Sequence, residues 1–334
     1  MNLVSDSPTR DSHTPVVAGR PPDRVNWREE LGLLIVYLLL FATLSWLAWP
    51  YFLKVRNLLN ILVAVSTIGI ISVAMTKVII SGGIDLSIGS VVALTGVVIA
   101  QLSRHVPMPV AVLCALLAGA AVGAFNGAAV TFGRINPLIA TLGTLSIVRG
   151  LAFAFSGGLT QTIPDKTFHF LGRGFVLGIP FSAIFMVVLF ALTAWVMGWT
   201  VFGRNVYAVG GNAQASRLAG LPVTALRMTV YILSGLSAAL GGVFLASQLG
   251  AAAPQAAAGL ELSVIAAVIL GGTSLSGGKG TIWGTLLGVL IMGTLNNGLT
   301  LLNVSSYYQD VARGSVLLLA VGLDQLRQRW ANEG

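Results

Sequence analysis

Residues 271–281, GGTSLSGGKGT, resemble a phosphate-binding loop at first sight, because a lysine follows a pair of glycines. Such a loop needs G-x-x-x-x-G-K followed by Ser or Thr. Here Thr273 stands six residues before Lys279, where the first glycine is required, and Gly280 takes the place of the magnesium-binding hydroxyl. The sequence therefore predicts that this chain does not bind ATP or Mg²⁺ by itself.

Other residues that could support catalysis or metal binding are scattered along the sequence. His13, His105 and His169 stand far apart in the tail and the loops, without the spacing that gathers ligands around a metal ion. Cys114 is the single cysteine, so an intrachain disulfide and a cysteine cluster are both excluded. No Ser/His/Asp grouping or carboxylate pair stands near a shared span end. The sequence predicts a protein that is not an enzyme and holds no metal.

Two glycine pairs interrupt apolar stretches in similar strings, GGIDLSIGS at residues 82–90 and GGTSLSGG at residues 271–278. VIIS precedes the first string and VILG, offset by one residue, precedes the second, which indicates an internal repeat. Paired breaks often mark moving or substrate-lining parts of transporters. A capped tight turn explains Asp85 equally well, since its carboxylate can accept bonds from free backbone N–H groups. The helix-break and pathway candidates are Gly82, Gly83, Asp85, Ser87, Gly271, Gly272 and Ser274.

Further ionisable residues fall within or beside apolar runs, where charge is costly in lipid. Each is expected to face protein, a cavity or the membrane interface. Asp310 and Arg313 stand three residues apart on one predicted helix, which favours a structural ion pair. Lys77 is close enough to a span end to extend toward the membrane surface. These intramembrane candidates are Lys77, Arg149, Glu261, Asp310 and Arg313.

The polar segment 203–228 contains a short helix signal. Asn212 is a good N-cap, Gly220 a good C-terminal stop, and Pro222 follows it. A helix this short is unstable alone in water, so it must be held either by a partner protein or by the ends of its own spans. Ala215, Leu218 and Ala219 share one face. The candidate contact residues are Asn212, Ala215, Arg217, Leu218, Ala219 and Gly220.

These segments belong to a chain of 334 residues that is 55% hydrophobic and only 9% charged. The charged fraction is about a third of that of a soluble domain, which excludes a soluble enzyme. The net charge of +8 is spread in small groups between apolar runs, so it indicates membrane topology rather than nucleic-acid binding. We expect an all-α integral membrane protein with one membrane domain at 31–327, a flexible tail at 1–30 and a C-terminal tail at 328–334.

Runs without acidic or basic residues locate the membrane-spanning helices. Ten are expected, at residues 31–49, 58–76, 86–103, 106–133, 136–155, 181–199, 228–249, 260–270, 281–302 and 307–323. Small residues four apart indicate close helix packing rather than a ligand site. These are Gly119, Gly123 and Gly127, and Gly284 with Gly288.

Basic residues concentrate on the cytoplasmic side if the N-terminus lies inside, as the positive-inside rule requires. The predicted cytoplasmic group is Arg10, Arg20, Arg24, Arg28, Arg134, Arg204, Arg217, Arg227, Lys279, Arg327 and Arg329. The predicted external group is Lys54, Arg56, Arg104, Lys166 and Arg173. Both termini are therefore predicted to be cytoplasmic.

Four long motifs carry a resemblance to a known family. GGIDLSIGS, GRNVYAVGGNAQASRLAG, ELSVIAAVILGGTSLSGGKGT and LNNGLTLLNVSSYYQ, in this order and spacing, resemble the membrane permease of ribose-type sugar ABC importers. This family lies within the wider branched-chain amino acid and sugar permease group. The similarity runs from residue 30 to residue 327 and leaves out the N-terminal tail. It implies about ten transmembrane helices with glycine-broken hairpins, in a type II ABC importer-like fold.

The resemblance also implies partners and a function. The partners are a cytoplasmic ABC ATPase that carries ATP and Mg²⁺, a periplasmic sugar-binding protein, and a second permease copy or paralogue, without nucleic acid. For segment 203–228 it implies docking on the ATPase. The expected function is a permease subunit that passes a monosaccharide across the bacterial inner membrane, without bond chemistry of its own. Which sugar is carried does not follow from the sequence.

Three alternatives remain open at the level of the sequence. An ABC permease for a non-sugar ligand and a membrane scaffold without transport are two of them. The third is a secondary transporter coupled to H⁺ or Na⁺, which also uses broken helices and intramembrane carboxylates. Such a protein needs a carboxylate relay deep in the bilayer, whereas Asp85, Glu261 and Asp310 are all predicted near span ends.

Overall fold

The computed structural model describes residues 27–333, so most of the predicted N-terminal tail lies outside the described residues. The helices are α1 Trp27–Leu47, α2 Val55–Ile80, α3 Ile88–Leu102, α4 Met108–Thr131, α5 Pro137–Ser156, α6 Lys166–Arg173, α7 Phe181–Trp199, α8 Val201–Gly211, α9 Ala213–Leu218, α10 Val223–Leu249, α11 Leu260–Leu270, α12 Ile282–Leu301 and α13 Ser306–Glu333. Short strands form two antiparallel pairs, β1 Gln161–Thr162 with β4 Ala251–Ala252 and β2 Phe175–Val176 with β3 Ile179–Pro180.

A helix lies at each position where the sequence predicts a span. By length and composition, however, seven helices of the described chain can cross a membrane: α1, α2, α4, α5, α7, α10 and α12. α3 has 15 residues and α11 has 11, so they rise only about 22 Å and 16 Å, short of the ~30 Å hydrocarbon layer. The prediction of an all-helical membrane domain is confirmed, whereas ten full crossings are not.

The first and last helices in the sequence, α1 and α13, extend beyond the predicted bounds of the membrane domain. α1 begins at Trp27, inside the predicted N-terminal tail, and α13 continues to Glu333, through the predicted C-terminal tail. Hydropathy places a boundary where the apolar run stops. Charged residues such as Glu and Arg are good helix formers, so a helix continues past that boundary.

α10 lies at the centre of the bundle and packs against α2, α3 and α4. A Cβ at Gly119 of α4 would lie 2.7 Å from the carbonyl oxygen of Gly235 on α10. A Cβ at Gly288 of α12 would overlap the carbonyl oxygen of Ala267 on α11. A Cβ at Gly123 or Gly284 would likewise overlap a backbone oxygen, and a Cβ at Gly127 would lie 2.8 Å from the sulfur of Met228 on α10. Because backbones approach this closely only at glycine, the predicted packing role is confirmed.

α9 and α6 lie at opposite ends of the bundle, which we call the α9 end and the α6 end. α9 precedes α10, whose 27 residues span about 40 Å. Near the last turn of α10, the carbonyl of Gln248 accepts a bond of 2.6 Å from Nε of Arg173 on α6. The two short strands β1 and β4 pair beside this contact and close the α6 end.

Both described ends of the chain lie at the α9 end. Glu30 of α1 accepts a bond of 3.1 Å from Thr281, and Asp324 of α13 accepts one of 3.3 Å from Ser274. Thr281 and Ser274 flank a loop that contacts α8. The described members of the two predicted basic groups therefore separate to opposite ends of the bundle. Which end faces the cytoplasm stays a prediction.

Candidate functional site

α2 ends at the first glycine break in a Schellman motif. The N–H of Gly83 donates to the carbonyl of Val78 over 2.9 Å, and the N–H of Gly82 donates to the carbonyl of Ile79 over 2.9 Å. Gly82 has a φ of 80°, in the left-handed region that glycine adopts without strain. This helix end therefore requires a glycine.

α11 ends at the second break in the same motif. Thr273 donates to the carbonyl of Val268 over 3.2 Å, and Gly272, with a φ of 86°, donates to the carbonyl of Ile269 over 2.8 Å. Gly272 is therefore the counterpart of Gly82. The first glycine of one pair thus has a different role from the first glycine of the other. Because α5, α9 and α12 end with the same pair of hydrogen bonds, the shared motif does not distinguish an internal repeat, which stays a prediction.

The remaining glycine of each pair permits close packing. A Cβ at Gly83 would lie 2.7 Å from the hydroxyl oxygen of Tyr231, which itself donates to the carbonyl of Ile84 over 3.2 Å. A Cβ at Gly271 would lie 2.5 Å from the carbonyl oxygen of Gly284. Each break thus combines one glycine needed for its φ with one needed for its lack of a side chain.

Asp85 follows the first break and is completely buried. Its Oδ1 accepts from the backbone N–H of Ser87 at 3.0 Å, from the Ser87 hydroxyl at 2.6 Å and from Nδ2 of Asn126 at 3.3 Å. Its Oδ2 accepts from the hydroxyl of Ser234 at 2.8 Å. The expected backbone cap is the single bond to Ser87, and the other donors are side chains that join α3, α4 and α10 to this carboxylate.

Asn126 and Ser234 are the partners that the sequence analysis did not identify. Asn126 lies on the face of α4 that carries Gly119 and Gly123 and packs on α10. An amide on such a closely packed face is unfavourable unless it is hydrogen-bonded. That position is the signal by which sequence reasoning could have found it. Ser234 offers no comparable signal, because serines are common in apolar helices.

α8 contacts both glycine breaks at once. The N–H of Gly278 donates to the carbonyl of Ile80 over 2.8 Å, which joins the two breaks directly. A Cβ at Gly210 of α8 would overlap the Ile80 carbonyl oxygen and lie 2.7 Å from the nitrogen of Gly278. We call Ile80, Gly210 and Gly278 the glycine junction. Beside it, the Tyr207 hydroxyl donates to the carbonyl of Gly280 over 2.9 Å, and burial raises the pKa of Tyr207 to about 12.

α9 follows the glycine junction and has the predicted cap and stop. Oδ1 of Asn212 accepts from the N–H groups of Gln214 and Ala215 at 3.0 Å and 2.9 Å. Gly220 follows the helix with a φ of 83°. One end of α9 is thus fixed by a side-chain cap, and the other by a residue that turns the chain toward α10.

The face predicted for docking is free in the described chain. Ala215 and Ala219 are exposed, and Leu218 is 84% exposed, whereas Ser216 faces the protein. Arg217 and Leu218 lie on the open side of α9, together with Ala213 and Gln214. Of the two surfaces expected to hold α9, the ends of its own spans do not cover this face.

Ser274, in the second break, bonds to a different part of the bundle than Asp85 does. Its hydroxyl and the N–H of Leu275 each lie 3.3 Å from Oδ2 of Asp324 on α13. The first break is therefore fastened to α4 and α10, and the second to α13. A role of either break in a transport pathway stays a prediction.

The remaining ionisable candidates differ in their surroundings. Asp310 and Arg313 form the predicted ion pair, with Oδ1 and Nη1 3.0 Å apart. Lys77 is only 8% exposed, so the expected extension to the membrane surface is wrong. α7, α10, α11 and α12 pack around α2 and cover it. Arg149 and Glu261 lie near each other beside the start of α11.

Glu261 lies at the start of α11, in the first turn of its helix, as predicted. Because α11 is short, this turn is about 14 Å from the end of the helix at the α9 end. Its place within the membrane stays a prediction.

Comparison with known proteins identifies the family. The family model described as branched-chain amino acid transport system / permease component matches residues 57–321. The L-arabinose ABC transporter permease protein AraH of Azospirillum brasilense is 46% identical over 89% of this chain and 88% of its own length. The ribose import permease protein RbsC of Escherichia coli K12 is 44% identical over 94% and 99%, respectively.

The ribose import permease protein RbsC of Bacillus subtilis strain 168 is a third relative, 46% identical over 83% of this chain and 87% of its own length. No solved structure matches the chain. The family model covers most of the chain, including both glycine breaks, the glycine junction and α9. The resemblance carried by the four motifs is thereby confirmed, and the chain belongs to the branched-chain amino acid transport system / permease component family.

Proposed function

We propose that this chain is the permease subunit of a binding-protein-dependent ABC importer, and that it passes a monosaccharide across a bacterial inner membrane. The observation that carries the proposal is end-to-end similarity to permeases named for ribose and L-arabinose import. The alignment covers 99% of the length of the ribose import permease protein of Escherichia coli K12, so the similarity extends over the whole permease and is not limited to a shared fragment. Pentoses are therefore the first sugars to test.

The exposed face of α9 is the proposed docking site for a cytoplasmic ATPase, which on this proposal binds ATP and Mg²⁺ and supplies their chemistry. Ala215, Leu218 and Ala219 expose an apolar face on a helix too short to be stable alone, which fits a contact with another protein. The glycine junction lies directly before α9, so a displacement of α9 acts on both glycine breaks through backbone contacts. On this proposal the α9 end is cytoplasmic, with both termini inside.

The other proposed partners follow the family. A periplasmic sugar-binding protein delivers the ligand to the α6 end, and two permeases, either two copies of this chain or one copy and a paralogue, form the membrane unit. About ten helices per chain in a type II importer arrangement would include the short helices α3 and α11 as parts of crossings.

The test is transport in liposomes that contain the permease with the ATPase and the binding protein of a ribose or L-arabinose importer from the same organism. We expect ATP-dependent uptake of D-ribose or L-arabinose that is insensitive to a protonophore. Leu218→Asp places a charge in the docking contact, where burial without a partner costs several kcal/mol, so it should abolish co-purification with the ATPase and sugar-stimulated ATP hydrolysis.

Leu177→Asp is the matched control, because Leu177 is 98% exposed in the turn between β2 and β3, away from α9. It should leave co-purification with the ATPase intact. Uptake that needs an ion gradient instead of ATP would establish a secondary transporter. Normal assembly of Leu218→Asp would place the ATPase contact elsewhere.

A further inference from the structure

The chain between α10 and α11 enters the membrane without helical structure. α10 is long enough for a full crossing, whereas α11 is about 16 Å long, half of the hydrocarbon thickness. Because α11 ends at the α9 end, residues 253–259, which precede it, lie at membrane depth. Non-helical backbone is stable there only where protein or a water-filled cavity satisfies its polar groups.

Arg149 of α5 satisfies part of this segment. Its Nη1 donates to the carbonyl oxygen of Pro254 at 2.8 Å and to that of Ala256 at 2.7 Å. The guanidinium group is partly buried, and its remaining N–H groups donate to no described residue. Arg149 thus fixes the position of the segment and keeps unused donors beside it.

Glu261 borders the same segment. Its Oε2 is buried and has no hydrogen-bond partner among the described residues. A Cβ at Gly89 of α3 would overlap this oxygen and lie 2.7 Å from the carbonyl of Ala257, so glycine leaves the space that the carboxylate occupies. Arg149 and Glu261 interact electrostatically, but no direct ion pair joins these two described residues. A buried carboxylate oxygen without donors is unfavourable, which indicates that a ligand supplies them.

We propose that Glu261 and Arg149 form a subsite that binds hydroxyl groups of the monosaccharide during its passage. The inference rests on the proposed function and assigns its sugar contact within the membrane. An ionised carboxylate only accepts hydrogen bonds, and a guanidinium only donates them. A hydroxyl group does both, so a neutral polyol can bridge the two side chains. The two opposite charges largely cancel, so the pair provides no net electrostatic attraction for a cation or an anion.

A small cavity lies beside the segment. Between α3, α10 and the start of the segment, the cavity lined by Gly96, Gly242 and Ala252 has a volume of about 10 Å³, room for roughly one water molecule. A sugar therefore fits into this cavity only when the residues that line it move apart. The two bonds from Arg149 hold the segment in its present position.

The test measures transport by the reconstituted complex of permease, ATPase and binding protein, with Glu261→Gln and Arg149→Gln as separate variants. The probe is the pentose that the wild type carries best, together with its monodeoxy analogues. Since the variants lose a bond to a charged group, we expect about tenfold slower uptake of the full sugar. With the wild type, uptake of one monodeoxy analogue should also be about tenfold slower than uptake of the full sugar. With the variant, that analogue should be taken up as slowly as the full sugar and no more slowly. ATP hydrolysis stimulated by the loaded binding protein should persist, because the α9 contact is unchanged.

The matched control is Asp165→Asn, which removes a carboxylate charge at the α6 end but keeps the cap bonds to the N–H groups of Thr167 and Phe168. It should transport every analogue like the wild type. An equal loss for all analogues in both variants would assign Glu261 and Arg149 a structural role, and unchanged uptake would remove them from the pathway. Either result overturns the subsite while transport by the wild type stands. A wild type that carries no monosaccharide would refute the proposed function, and the subsite with it.

Discussion

Asp85 and Glu261 differ in how completely the protein provides hydrogen-bond partners for their carboxylate oxygens. Asp85 accepts four hydrogen bonds from three residues, so both of its carboxylate oxygens have partners within the protein. Glu261 keeps a buried oxygen without a described partner. The sequence identified both as unusual, because an acid in an apolar run is rare. It could not distinguish them, since the partners Asn126 and Ser234 are distant in sequence from Asp85.

At the residue scale we predict that Asp85→Asn is tolerated and Asp85→Leu is not. The amide oxygen of Asn can accept from Ser87, and its NH₂ group can donate to Ser234 if that hydroxyl rotates, so the loss should be within about 1 kcal/mol. Leu would remove all four hydrogen bonds, would leave Asn126 only its bond to the Ser87 hydroxyl, and should cost roughly 3 kcal/mol or more. Thermal unfolding of the purified protein in detergent measures both. If Asp85→Asn keeps its melting temperature yet abolishes transport, the charge itself has a function that capping does not explain.

At the scale of elements, the sequence predicts helix caps and ion pairs within one helix, but not contacts between segments that are distant in sequence. The cap at Asn212, the stop at Gly220 and the ion pair between Asp310 and Arg313 each depend on residues within one turn or two. The glycine junction depends on three segments brought together by the fold, and its glycines look like ordinary loop residues in the sequence. The sequence predicts α3 and α11 as spans at nearly the observed bounds, 86–103 and 260–270, because their apolar composition resembles that of a spanning helix although their length is too short.

The glycine junction gives an element-scale prediction with a neighbouring control. Gly210→Ala would place a Cβ on the carbonyl oxygen of Ile80, where backbone cannot yield easily, and should cost about 1–3 kcal/mol by overpacking. Gly211→Ala meets no atom within 4 Å, so it should be neutral or slightly stabilising. Melting temperatures and ATP hydrolysis stimulated by the loaded binding protein are the measurements. Equal behaviour of the two variants would show that the junction is loose enough to accept a side chain.

At the scale of the whole molecule, the sequence predicted which segments share an end of the bundle. Spans that alternate in direction place Arg217 and Lys166 on opposite sides, and the structure puts α9 and α6 at opposite ends. The extent of the crossings was less predictable. The short helix α3 packs against α10, and the short helix α11 packs against α2, so both remain buried. Hydropathy shows that a helix is apolar, but not which neighbouring helix covers it.

The last prediction concerns the orientation of the bundle. The excess of basic residues at the α9 end predicts that this end is cytoplasmic. Arg217→Cys and Lys166→Cys, each in a Cys114→Ser background, can be exposed in intact cells to a thiol reagent that does not cross the inner membrane. We expect labelling at position 166, and at position 217 only after the membrane is opened. Because Arg217 borders the proposed ATPase contact, labelling at 217 in intact cells would reverse the topology and place α9 beyond the reach of any cytoplasmic ATPase.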